Sequence, residues 1–207
     1  MTDTPAPRTA DHFWWRPGWG PGTRWLTWHL TFDGQAGLHE LAAAYRAALA
    51  GFDCLTLVPD RWLHLTMQGL GDAARVDEDD VNAIAAAAAR RLAVIPAFDL
   101  EFDRPVFTPE AVRWDPSGAG PAAVRAAIRE AVAEVWPEVP ESADGFGAHV
   151  TVGYGNRDAD ARPVIDAISA VPDSPTRVRV ASAELILLGR DNLMYEWSTV
   201  ESVPLGG

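Results

Sequence analysis

Two short segments repeat one polar pattern: His64-Leu65-Thr66-Met67 and His149-Val150-Thr151-Val152. A pair of imidazoles with a pair of hydroxyls suits phosphodiester chemistry. Opening a cyclic phosphate needs a base to deprotonate water and an acid to protonate the departing alkoxide. Attacking and leaving oxygens lie on opposite sides of phosphorus, so base and acid must flank it. Histidine fits both parts, because an ordinary pKa near about 6.5 leaves one ring neutral and another protonated near neutrality. Threonine hydroxyls can donate to the nonbridging oxygens, where charge grows in the transition state. His64, His149, Thr66 and Thr151 are therefore the candidate catalytic groups. No metal or other cofactor is called for, and the sequence offers no carboxylate–histidine set of metal-ligand character.

Chance would supply roughly 0.3 such matches in this composition, yet a third occurs, His29-Leu30-Thr31-Phe32. The motif alone is thus weak, and its context must carry the argument. We read the third match as a strand with a polar face, with His29 lining the cleft and contacting substrate.

In a strand, residues two apart share a face. His64, Thr66 and Gln68 should then point one way and Leu63, Leu65 and Met67 the other. His149, Thr151 and Gly153 should likewise oppose Val150 and Val152. Gln68 and Tyr154 join His29 as expected substrate contacts. Around the motifs, the pattern predicts strands over 24–32, 54–58, 62–70, 98–103, 112–115, 148–154, 177–188 and 194–200. Helices are expected over 38–50, 77–92, 121–135 and 163–170. Each motif strand is followed by a helix and then strands, a weak repeat of element order. The expected fold is α+β and bilobal: two pseudo-two-fold-related lobes, each with an antiparallel sheet and flanking helices, about a central cleft. Residues 24–207 form this single domain.

Residues 1–23 are rich in proline and glycine but also hold Phe13, Trp14, Trp15 and Trp19. They are expected to be irregular and anchored on the body by these rings, or alternatively to cover the active site. The acidic run Asp77-Glu78-Asp79-Asp80 stands at a helix start, where it compensates the helix dipole rather than binding metal. Cys54, the sole cysteine, lies in a short apolar run and reads as core.

The 207 residues carry a net charge of −12 and contain no lysine. Without lysine there is no Walker A loop, no Schiff base and no lysyl-adenylate. The arginines are scattered, with no basic stripe for gripping long nucleic acid. The expected partner is a small nucleotide or other phosphoester, with short RNA ends as the longest substrate. No membrane-spanning run or secretory leader is read from the sequence, and no obligate protein partner is expected. A soluble cytoplasmic monomer is the default expectation.

The segment from Pro59 to Gly71 (PDRWLHLTMQGLG) resembles the first signature of the 2H phosphoesterase superfamily, in its 2′-5′ RNA ligase-like and cyclic nucleotide phosphodiesterase branch. Ala148-His149-Val150-Thr151-Val152 resembles the second, and Leu185–Leu188, a turn and Tyr195 are similar to the closing hairpin. The resemblance covers nearly all of residues 24–200. It implies a bilobal fold, His64 and His149 as acid and base, Thr66 and Thr151 as phosphate donors, 2′,3′-cyclic phosphates or 2′-5′ linkages as substrates, and no metal. The chain departs from the pattern at Gly69, where an aromatic is common, and at Gly153-Tyr154, where a small residue and arginine often stand. Losing that arginine shifts the expectation from RNA ligation toward hydrolysis. Arg16, Arg61, Arg113 and Arg190 are the substitutes in view, each read individually as a surface residue. A nucleotide-binding module with weak turnover is the alternative from another class.

Overall fold

A computed structural model describes residues 6–207. In chain order the strands are β1 (Arg8–Thr9), β2 (Trp25–Thr31), β3 (Leu55–Leu57), β4 (His64–Asp72), β5 (Phe98–Phe102), β6 (Val106–Thr108), β7 (Ala111–Trp114), β8 (Val150–Gly155), β9 (Ala159–Asp160), β10 (Thr176–Val180), β11 (Ser182–Gly189) and β12 (Glu196–Pro204). The helices are α1 (Ala36–Leu49), α2 (Glu78–Leu92), α3 (Gly120–Ala133) and α4 (Arg162–Ala170), with a short 3-10 turn at Asp60–Trp62.

Two four-stranded antiparallel sheets dominate, ordered β12-β11-β2-β4 and β3-β8-β7-β6. Helices α2 and α3 pack on each other and on β12 and β4, while α1 packs on β3 and β8 of the second sheet and on β10, with α4 against α1. Apolar residues such as Leu30, Leu65, Ile84 and Ile128 are fully buried between sheet and helices in the first lobe, and Val152, Leu38 and Leu49 in the second. The two sheets approach each other at β4 and β8, the strands that carry or follow the two motifs. The bilobal α+β architecture expected from element order is therefore the one formed.

Local chemistry explains most boundaries. Asp77 caps α2, its carboxylate accepting the Asp79 N–H at 2.8 Å, and Arg90 and Arg91 close the helix. The acidic run thus meets the positive end of the helix dipole. Pro121 and Pro163 occupy first turns of α3 and α4, where a missing N–H costs nothing.

Three differences from the sequence reading matter. The stretch 177–188, read as one strand, is broken at Ala181: β10 pairs with β5, and β11 joins the first sheet. Alternating burial runs through both halves, so periodicity alone could not show the change of partner. Short strands β1, β6 and β9 were not anticipated, and β1 pairs with β9 to stitch the N-terminal arm to the second lobe. Finally, β4 carries bulges. Trp28 faces Gln68 and His29 faces Thr66, so Met67 is an extra residue on β4. One extra residue reverses the alternation beyond it.

Candidate active site

That reversal decides which side chains of β4 reach the cleft. His64 and Thr66 line a cavity of about 320 Å3 between the lobes, together with His29, His149, Thr151 and Tyr154. Past the bulge, Gly69 rather than Gln68 faces it. Gln68 is the exception among the expected contacts. It is fully buried on the other side, donating to the carbonyls of Gly69 (2.8 Å) and Pro140 (2.6 Å), while its own carbonyl accepts from Arg129 at 2.6 Å.

The two motif histidines are held alike. His64 Nδ1–H donates to the Trp62 carbonyl and His149 Nδ1–H to the Gly147 carbonyl, each at 2.8 Å and each two residues back. This fixes the tautomer and leaves each Nε2 for the cavity. His64 stacks on His29 with ring centroids 4.4 Å apart and planes 5° from parallel, and Trp197 lies edge-on to both. His29 Nε2 lies 3.3 Å from the Thr66 hydroxyl, and its buried Nδ1 has no partner among the described residues.

Burial pushes His64 down to about 4, helped by the nearby His149 and His12 and opposed by its bond to Trp62. His29 is held well below its ordinary range, by burial first and His64 second. Burial also raises the Tyr154 phenol, which stays protonated and able to donate.

The sequence reading offered the arm as an alternative cover for the site but assigned neither His12 nor Trp19 to it. His12, Arg16 and Trp19 line the same cavity, so the arm forms a wall of the cleft. His12 stacks on Tyr154 at 4.4 Å, with Nδ1 3.0 Å from Glu110 and Nε2 3.0 Å from the Tyr195 hydroxyl. Burial pushes His12 down to about 4 despite Glu110. The neutral ring therefore donates from Nδ1 and accepts the Tyr195 O–H at Nε2. Tyr195, Trp25 and Glu141 complete that wall. Of the arginines considered, Arg16 is half-buried in the cleft rather than on the outer surface, 3.6 Å from Glu110. Arg190 is buried, contrary to the surface reading. The density of aromatics at 13–19 was the available signal for both.

Three imidazoles kept neutral by burial make folding sensitive to acid. Between about pH 6.5 and 4 the unfolded chain binds more protons at these sites than the native one, so stability falls as pH falls. At about 1.4 kcal/mol per unit of depression, His64 alone contributes on the order of 2 kcal/mol by pH 5. The urea midpoint should therefore drop from pH 7 to pH 5, and His29→Leu should flatten that dependence. A midpoint constant over this range would contradict buried neutral imidazoles.

Two α+β lobes that each bring one histidine and one threonine to a shared cavity define a class of phosphoesterase-like folds. The chain belongs to the 2′-5′ RNA ligase superfamily of 2H phosphoesterases, whose family model matches residues 36–192. Among solved structures, it is similar to TT0787 of Thermus thermophilus, with a TM-score of 0.70 and 18% identity over 88% of this chain and 98% of that one. It is also similar to E. coli LigT complexed with 3′-AMP, with a TM-score of 0.64 and 17% identity over 89% and 99%. The MHV ns2 PDE domain follows at 0.57 and 14% over 80% and 99%. At such identities these likenesses speak for the fold. No curated protein matches the chain significantly. The family match begins after His29 and the arm, and ends before Tyr195. Among the described residues no helix is long and apolar enough to cross a membrane.

Proposed function

We propose that the protein is a metal-independent phosphodiesterase that hydrolyses a small 2′,3′-cyclic phosphate or related phosphodiester. The observation that carries this reading is the matched anchoring of His64 and His149, with both Nε2 atoms left for one cavity. Nucleotide-sized substrates suit a cavity of about 320 Å3. Structures of the LigT neighbour in complex with 3′-AMP, ATP and NADP+ lend that size class support.

His64, neutral down to about 4, is the base. Its Nε2 takes a proton from water as the water oxygen bonds to phosphorus. His149, on the opposite lobe, gives its Nε2 proton to the leaving ribose oxygen as the P–O bond breaks. The product is a phosphomonoester beside a free hydroxyl. With His29 Nε2–H donating to the Thr66 oxygen, the Thr66 proton is left for a nonbridging phosphate oxygen. Thr151 supplies the same from the other lobe. These groups account for every proton moved.

The test is a pH–rate profile on cyclic mononucleotides, with and without chelator. The acidic limb of kcat/KM reports the free enzyme's base. It should fall near about 4 rather than at the ordinary imidazole value. Turnover that chelator abolishes, or nucleotide binding without turnover across cyclic and 2′-5′-linked substrates, would reject the reading.

A further inference from the structure

The cavity continues past the histidines to an end of different chemistry. On β2, Trp25, Thr27 and His29 share the cleft face, which puts Trp25 roughly 13 Å from His29 at about 3.3 Å per residue. Opposite them β4 presents Gly69. A Cβ there would stand 2.5 Å from Glu141 Oε1 and 3.1 Å from Trp25 Nε1. With no side chain at Gly69, the carboxylate and the indole N–H close up against the β4 backbone and together line this end of the cavity. Trp19 of the arm stacks on Trp25 at 5.1 Å and 15°, extending the aromatic surface.

Glu141 is held there at a backbone cost. Its φ is +62°, an uncommon conformation for a residue with a side chain. Arg129 donates to the Pro140 carbonyl at 3.1 Å and the Glu141 carbonyl at 3.2 Å, and Gln68 also donates to Pro140. The glutamine turned out of the cleft by the bulge therefore braces the loop that brings the carboxylate in. The carboxylate accepts the Gly69 N–H at 3.3 Å. A carboxylate offers about four acceptor positions, so most remain for a ligand.

We infer that this end is a nucleobase subsite selective for guanine, so that the substrate is a guanosine phosphodiester. This deepens the phosphodiesterase reading and rests on it for where the phosphate sits. Guanine presents two adjacent N–H donors, at N1 and the exocyclic N2, which pair with the two oxygens of one carboxylate. The Trp25 indole N–H borders the position its O6 acceptor takes. Adenine and cytosine set a ring lone pair beside their amino group, against the carboxylate. Uracil has one N–H between two carbonyls. A site built to accept from N–H groups rejects bases that lack them. The charges agree, with Arg16 beside Glu110 on the second-lobe side and Glu141 at the far end.

Initial rates on the four 2′,3′-cyclic mononucleotides test this, alongside calorimetry with guanosine and adenosine 3′-monophosphates. Guanosine should lead in kcat/KM by tenfold or more and bind tenfold or more tightly. Glu141→Gln should bring the guanosine-to-adenosine ratio toward one. Hydrolysis of all four at similar rates, insensitive in its base preference to Glu141→Gln, overturns the subsite and leaves the phosphodiesterase standing. Selective guanosine monophosphate binding without hydrolysis of any cyclic or 2′-5′-linked nucleotide supports the subsite and overturns the phosphodiesterase. Neither selective binding nor hydrolysis overturns both.

Discussion

His64→Asn and His149→Asn are each expected to lower kcat by roughly 10²–10⁴, with much smaller changes in KM. Asparagine can still donate to the carbonyl two residues back, which in the native protein anchors each ring at 2.8 Å. What it loses is the group that takes or gives a proton at the position of Nε2. Because the two imidazoles serve one displacement, the double variant should be little worse than the poorer single one. Steady-state kinetics with product analysis by 31P resonance read this directly. The variants should differ in pH behaviour too: the acidic limb belongs to His64 and should vanish with it. Full activity in either single variant would sink the paired-histidine mechanism.

The elements that place these histidines were legible because local chemistry and global fold agree there. Acids at its start and arginines at its end mark α2 in the sequence over 77–92, and the structure begins the helix one residue later, at Glu78, with Asp77 as its cap. Alternation in β4 gave the right face for His64 and Thr66. It failed at Gln68, because a bulge is an event in pairing: Met67 becomes the extra residue only once β2 lies alongside. The split at Ala181 has the same origin. Both β10 and β11 alternate well, and their assignment to different sheets depends on β5 and β2, far away in the chain.

Legibility in the site follows the same division. Motifs on one strand carry their own geometry, so His64 with Thr66, and His149 with Thr151, were readable. His12, Arg16, Trp19 and Glu141 reach the cavity by way of loops, for which no periodicity exists. A hint lay in composition, since a proline- and glycine-rich segment seldom spends several large rings on solvent. The expected anchoring by aromatics and the alternative of covering the active site turn out to be one arrangement. Phe13 is buried against Tyr154 and Tyr195, and its neighbours His12 and Arg16 line the cleft with Trp19, whereas Trp14 and Trp15, expected to anchor the arm too, are exposed.

Arg190→Ala should be the most damaging change outside the histidines, because this guanidinium joins the arm to the body. Its carbon lies 5.4 Å from the Phe13 ring centre, 5.6 Å from Trp15, 5.5 Å from Trp19 and 5.8 Å from Tyr195. It donates to the Trp14 carbonyl at 3.0 Å and reaches the His12 carbonyl at 3.4 Å. A buried charge is costly unless its surroundings compensate, and here π faces and carbonyls do so. Desolvated cation–π contacts of up to about 2 kcal/mol each are not additive. A net loss of about 2–4 kcal/mol in arm docking is the reasonable scale. Lysine should rescue poorly, since an ammonium lacks the flat face and fork that suit several rings and carbonyls together. Residues 8 and 9 stay tied by β1–β9 pairing and the Arg8–Asp158 ion pair. The variant should therefore keep its fold while releasing 11–23. Tryptophan emission should shift to the red and chymotrypsin should cut near Trp14 and Trp15. KM should rise tenfold or more as Arg16 and Trp19 leave the cavity. A variant with native emission and native KM would show that the arm docks without Arg190, and the wall of the cleft would need another anchor.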